Sequence, residues 1–260
     1  PWLRRHLPTS TIGCSLTRDR GEAEVEPVSD STIRAPVGGS GMNDPAAPLK
    51  LREKAYARFT DQLLSRELRP GQFVSQRELV ELTGMPLGAI REIVPRLEVE
   101  GLIKTVPQRG MQVAHIDVAL IREAFQFRLF MEREAVMEFT ANASDDLVAE
   151  QIRRHREILD EVLAHGETKE NEARAQALDW GMHDLVIDAL GNEIISKAYR
   201  VNSIKMRLIA QERYRIDGRV APVMREHLAV LEAVAARDPQ KAAAAITYHI
   251  GMARELALTI

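Results

Sequence analysis

The chain has 260 residues, 45% hydrophobic and 28% charged, enough apolar material for one large core or two ordinary ones. Its formal net charge of −3 excludes a uniformly basic nucleic-acid coat, but the charge is unevenly placed: residues 50–113 carry eleven Lys/Arg against eight Asp/Glu, and residues 114–260 nineteen against twenty-four. One cysteine, Cys14, excludes an intrachain disulfide, and with no membrane-length apolar run and no secretory leader the expected location is cytoplasmic.

Residues 1–48 show no sustained periodicity, and Ala35-Pro36-Val37-Gly38-Gly39-Ser40-Gly41 has linker composition, so this stretch is expected to be a disordered tail or extension, with Met42 a candidate natural start. From Leu49 the pattern changes. Leu51, Ala55, Phe59 and Leu63 repeat at helical spacing, and Arg69-Pro70-Gly71 is the expected stop. Ser75-Gln76-Arg77-Glu78 has the form of a capping box opening a short helix that ends at Gly84. A third helix is expected from about Pro86 to Glu100, burying Ile90, Val94 and Leu97, with Gly101 as its stop. Leu102–Val106 and Met111–Val113 flank a Pro/Gly turn and predict a β-hairpin. This order is that of a winged helix-turn-helix, here over residues 49–113. Its second helix would enter the major groove. Arg77, Arg91, Lys104, Gln108 and Arg109 are the candidate DNA contacts, each weighed against an ordinary solvated charge or amide.

Beyond Ile116 the spacing predicts six amphipathic helices, about 117–141, 144–165, 170–189, 192–214, 220–236 and 239–258, forming an antiparallel bundle over residues 117–258. The fold class is therefore mainly α. Asp179 and His183 are four apart and share a helical face, while His227 and His249 each take a position where the apolar period calls for a core residue. One reading is three separate core histidines bonded to backbone. The reading favoured here is convergence of three imidazoles and one carboxylate on a divalent metal ion. Zinc comes first, with nickel and manganese also compatible. His155, inside Arg153-Arg154-His155-Arg156, is expected on a solvated face. Arg128 and Asn202 fall on inward stripes and could bind a small carboxylate, although Arg128 could equally pair with Glu132 at i+4.

Two stretches resemble a known family. Pro70-Gly71-Gln72-Phe73-Val74-Ser75-Gln76-Arg77-Glu78-Leu79, Ile90-Arg91-Glu92, Arg96-Leu97-Glu98-Val99-Glu100-Gly101-Leu102-Ile103 and Arg109-Gly110 resemble the DNA-binding domain of GntR regulators. Asp179-Trp180-Gly181-Met182-His183, Gly191-Asn192, Glu226-His227-Leu228 and His249 resemble the FCD sensor domain of that family's FadR branch, with six helices as in its VanR-like group. The resemblance implies a homodimeric repressor that binds a palindromic operator and senses a small carboxylate at a metal site. Where the family usually opens its recognition helix with a Ser-Arg-Thr-Pro type sequence, this chain has Pro86-Leu87-Gly88-Ala89, so base reading is expected to rest on Arg77, Arg91 and the wing. Two other functions fit the same residues: a metal-dependent hydrolase, and a regulator whose metal is purely structural.

Overall fold

Local signals set most element boundaries. In the computed structural model, residues 46–213, 216 and 218–259 are described, and they lie in one contact unit, Asn43–Ile260. The tail expected over residues 1–48 falls outside the described residues up to 45. Helix α1 (Ala46–Leu64) starts five residues ahead of the apolar repeat at Leu51 and stops well before Arg69-Pro70-Gly71. The chain turns out of it at Arg66, whose backbone is left-handed at φ 69°, and the Leu68 amide bonds the Gln62 carbonyl. Strand β1 (Phe73–Val74) follows, an element the sequence reading did not contain. Helix α2 (Gln76–Thr83) opens with the expected capping box, the Ser75 hydroxyl accepting from the Glu78 amide and the Glu78 carboxylate from the Ser75 amide, and closes at Gly84 with φ 65°. Helix α3 (Leu87–Val99) buries Ile90, Ile93, Val94 and Leu97.

Strands β2 (Ile103–Val106) and β3 (Gly110–Val113) form the expected hairpin, but β1 joins it, giving an antiparallel sheet in the order β1-β3-β2 with Phe73 opposite Gln112 and Lys104 opposite Gln112 on the other side. A two-residue strand carries too little alternation to be read from sequence; β3 recruits it because β3 would otherwise leave an unpaired edge. At the tip, the Arg109 amide bonds the Val106 carbonyl at 3.1 Å around Pro107 and a left-handed Gln108 (φ 62°), the arrangement of a type II turn.

The six helices of the bundle match the predicted periodicity closely: α4 (Val118–Asn142), α5 (Asp145–His165), α6 (Lys169–Asp188), α7 (Glu193–Arg213), α8 (Val220–Ala235) and α9 (Pro239–Leu258). Asp117, Ser144, Thr168 and Asp238 cap the starts of α4, α5, α6 and α9 by accepting a main-chain hydrogen bond. Helix α4 packs along α9, α9 against α8 and α8 against α5, while α6 and α7 close the bundle against α4. Two apolar clusters result. One runs from Ala55 and Leu97 of the helix-turn-helix through Phe125, Met206 and Ile246, and the other joins Ile158, Leu178, Val220 and Met224. No helix among the described residues is long and apolar enough to cross a membrane.

Gly110 is where the wing depends on a missing side chain. Its φ is 88°, and a Cβ there would lie 3.0 Å from the Val74 carbonyl oxygen of β1. Gly110→Ala is therefore expected to destabilise the protein by about 1–2 kcal/mol, read as a lower midpoint in chemical unfolding.

Candidate functional site

Asp179 and His183 project from α6, His227 from α8 and His249 from α9, and the four side chains meet inside the bundle, all buried, with one donor atom from each within 4.8 Å of the others. His227 Nε2 lies 3.2 Å from Asp179 Oδ1 and 3.3 Å from His249 Nε2, and His183 Nε2 lies 3.7 Å from Asp179 Oδ1. Four ligands bound tetrahedrally at zinc-like bond lengths would stand roughly 3.3 Å apart, so the quartet already has near-ligating spacing.

The remaining ring nitrogens are each held from outside the quartet. His183 Nδ1 faces Glu132 Oε2 at 2.6 Å, His249 Nδ1 faces Glu226 Oε2 at 2.8 Å, and His227 Nδ1 faces His155 Nε2 at 3.2 Å. His155 Nδ1 must donate to the Gln151 carbonyl at 2.7 Å, because that oxygen can only accept. Burial, reinforced by His227, lowers the His155 pKa to about 4, so above that pH the ring is neutral and its Nε2 is an acceptor. His227 then spends its one proton on Nδ1, and its bare Nε2 faces the Asp179 carboxylate and His249. Giving the proton to Nε2 instead would set two bare nitrogens against each other at 3.2 Å. Protonating both nitrogens is opposed by burial, which lowers the His227 pKa against the pull of Asp179. A cation at the Nε2 side satisfies every contact at once, and the donor set of three imidazoles and a carboxylate suits a divalent metal ion.

The same electrostatics act on the neighbours. Burial pushes the Asp179 carboxyl up, but the adjacent His183 and His227 rings outweigh it and hold it well below the usual carboxylate range. Burial, together with His227, His183 and Arg128, holds His249 well below the usual imidazole range. His183 goes the other way: burial and Arg128 push it down, and the Glu132 and Asp179 carboxylates more than restore it.

Glu132 is the hub. Fully buried, it bonds Arg128 Nε at 2.7 Å and the Tyr199 hydroxyl at 2.6 Å through one oxygen, and His183 through the other. Arg128 also directs a guanidinium nitrogen at His183 Nε2 and lines the small cavity beside the quartet with Trp180, Arg219 and Glu226. The i+4 pairing of Arg128 with Glu132 is thus present, and the same guanidinium still borders the cavity. Asn202 is buried on α7 with its amide bonding the Ala124 carbonyl at 3.1 Å, and it does not line that cavity.

His155 corrects the sequence reading. It is 0% exposed, not solvated, because Val148, Gln151, Ile158, Leu159 and Val162 carry its stripe inward while the neighbouring arginines face out. That stripe was available in the sequence; the charged neighbours obscured it. Glu132 and Glu226 were visible only as residues near other motifs, since their roles depend on which imidazole stands opposite.

On the winged domain, Arg77, Arg91, Lys104, Gln108 and Arg109 are all exposed. Arg91 Nε lies 3.3 Å from Gln76 Oε1, Arg77 is 3.6 Å from Glu81, and the Arg109 guanidinium sits 4.4 Å from the Phe73 ring centre. Helix α3 begins at Pro86 without a side-chain cap, followed by exposed Leu87 and Gly88, so Arg91 is its first cation.

Comparison with known proteins gives these two halves a common context. The chain matches "Bacterial regulatory proteins, gntR family" over residues 51–113 and "FCD domain" over residues 123–252. It belongs to the GntR family of bacterial regulatory proteins and carries an FCD domain behind its helix-turn-helix. Its relatives include the HTH-type transcriptional regulator YdhC of Bacillus subtilis, 22% identical over 75% of this chain and 87% of that protein. Another is the Nta operon transcriptional regulator of Aminobacter aminovorans, 26% identical over 72% of this chain and 85% of that one. A GntR transcriptional regulator from Rhodococcus sp. RHA1 shares the fold with a TM-score of 0.64 at 19% identity, covering 81% of this chain and 98% of its own. E. coli McbR/YncC does so at 0.61 and 15%, covering 79% and 93%. These relatives are transcriptional regulators and not enzymes, and the present chain is a regulator of transcription whose winged domain implies DNA binding.

His183→Ala or His227→Ala is expected to abolish stoichiometric metal, measured by elemental analysis of protein purified in parallel with the wild type. Acid stability provides a second check. Burial pushes Glu132 up, but Arg128 and His183 overcome it and bring its pKa from 4.5 down to about 2. A depressed folded-state pKa contributes stability that is complete above the unfolded value and lost as pH falls through the folded one. The metal-free protein should therefore lose stability progressively from about pH 4.5 towards pH 2, and Glu132→Gln should flatten that part of the stability–pH curve.

Proposed function

We propose that this protein is a cytoplasmic, metabolite-responsive repressor in which residues 49–113 bind operator DNA and residues 117–258 sense a small carboxylate through a metal ion held by Asp179, His183, His227 and His249. The observation that supports the reading is the convergence at His227: its Nε2, that of His249 and the Asp179 carboxylate meet at one buried point with His183 beside them, a donor set suited to a divalent cation. Zinc is the first candidate, with nickel or manganese as alternatives. The metal would present a Lewis-acidic position to the effector. Arg128, bordering the adjacent cavity, is the proposed carboxylate clamp. Asn202 is proposed as a weaker second contact, because its amide already bonds Ala124.

DNA recognition is assigned to Arg77, Arg91 and Lys104, with the wing tip Gln108-Arg109 beside them, on one exposed basic segment. A homodimer on a palindromic operator fits the large apolar side chains left exposed on the bundle: Phe130 on α4 is 63% exposed and Tyr248 on α9 is 62%, and both border one groove. The structural-metal alternative differs in one respect: it gives the metal no ligand-linked effect.

A gel-shift titration of the metal-loaded chain on its own promoter region, with and without small carboxylates, tests the scheme. At least one carboxylate is expected to weaken operator binding, and His183→Ala should remove that response. If no carboxylate alters DNA binding while metal content stays stoichiometric, the structural-metal reading replaces this one. In the same assay Arg91→Ala should cost about 1–3 kcal/mol of operator affinity.

A further inference from the structure

Two cavities with a shared wall lie beside the quartet. The inner one, bordered by Arg128, Asp179, Arg219 and His249, offers about 30 Å³, a volume equal to about one water molecule's share of the liquid. The outer one offers about 470 Å³, within the roughly 300–1,000 Å³ typical of small-molecule sites. Trp180, Gln176, Ala210 and Ile216 line both. A carboxylate bound at the metal therefore has no room for its body in the inner cavity, and the body must extend past Trp180 into the outer one.

The outer cavity is chemically distinctive. Its charged lining is Arg66, Lys169 and Arg207 against the single carboxylate of Glu172, which Lys169 already engages at 2.9 Å. Arg207 is underused. Its Nε is buried with no hydrogen-bond partner among the described residues, and its Nη2 stands 3.6 Å from Asp184, beyond hydrogen-bond length. Asp184 bonds Arg200 at 2.6 Å through its other oxygen. The Arg207 guanidinium lies 5.4 Å from the ring centre of Trp180, which belongs to the wall the two cavities share.

The wall also contains two residues from the winged domain, Leu64 and Arg66, at the end of α1. Arg66 has left-handed backbone and gives its guanidinium to the Gln211 carbonyl of α7, while Gln211 Nε2 returns a bond to the Leu64 carbonyl at 2.7 Å. A carboxylate is a stronger acceptor for a guanidinium than an amide carbonyl is. An acid in this cavity would compete Arg66 away from Gln211 and disturb the α1–α7 seam.

We propose that the outer cavity is a second acid-binding subsite, that the effector is an elongated dicarboxylate with one end at the metal and the other under Arg207 and Arg66, and that the far end is what the DNA-binding domain senses. This rests on the metal-site reading above and adds the effector's shape and the route of its signal. A ligand confined to the inner cavity touches no residue of the winged domain; a dicarboxylate reaching Arg66 does, and so has the differential contact that a switch requires.

The test is isothermal titration of the metal-loaded full chain with a length series of unbranched dicarboxylates, each against the monocarboxylate of equal length. At one length the diacid should bind at least about tenfold more tightly, the equivalent of one charge-assisted hydrogen bond. Arg207→Gln and Arg66→Gly should each bring that ratio towards unity. Glycine suits the left-handed backbone at position 66, so the second variant removes the guanidinium without straining the turn; thermal melting and metal content verify folding of both. Equal binding of diacid and monoacid at every length, or an unchanged ratio in the folded variants, overturns the inference and leaves the metal-site reading standing. Failure of every carboxylate to bind overturns both.

Discussion

Everything in the sensor half follows from one constraint: four histidines, an arginine and three carboxylates are buried or nearly so at the centre of a helical bundle, where unsatisfied polar groups are expensive. The groups solve this by satisfying one another in a fixed order. Gln151 sets the tautomer of His155, His155 sets that of His227, and Glu132 and Glu226 set those of His183 and His249. The outcome is that the Nε2 atoms of His183, His227 and His249 gather around the Asp179 carboxylate.

That arrangement lets a residue that pairs in the core also face a cavity. Arg128 neutralises Glu132 inside the core and still borders the cavity, so the choice between salt bridge and ligand contact was never exclusive. Glu132 reaches Tyr199 on α7 as well as His183 on α6. Helix α7 then carries Arg207 and Gln211, which stand at the outer cavity beside the end of α1. Groups near the buried His/Asp quartet and groups at the winged domain thus share one helix, which gives a change at either end a continuous set of contacts to act through.

The winged domain shows a different balance. Its fold is well specified by caps and glycines at Ser75, Gly84 and Gly110, yet the start of its recognition helix offers Leu87 and Gly88 where a base-reading domain would place polar side chains. The exposed cations stand instead at Arg91 one turn later, at Arg77 on α2 and on the wing, where Arg109 rests on Phe73 of the unanticipated β1. The third strand therefore has a consequence for function: it supplies the aromatic surface under the wing arginine.

The sequence by itself determined the elements and the inward faces on which the His/Asp quartet stands. A helix's apolar period and its capping residues are local, so the six sensor helices, the Ser75 box and the inward placement of Asp179, His183, His227 and His249 were legible without any knowledge of their neighbours. What the tertiary structure decided was pairing. His155 and His227 are 72 positions apart and His183 and Glu132 are 51 apart, and nothing local states that they touch. The outer cavity is also a tertiary product, formed where α1 meets α6 and α7, because a concave space belongs to no single stretch of chain. Periodicity reports which way a side chain faces; only packing reports what it faces.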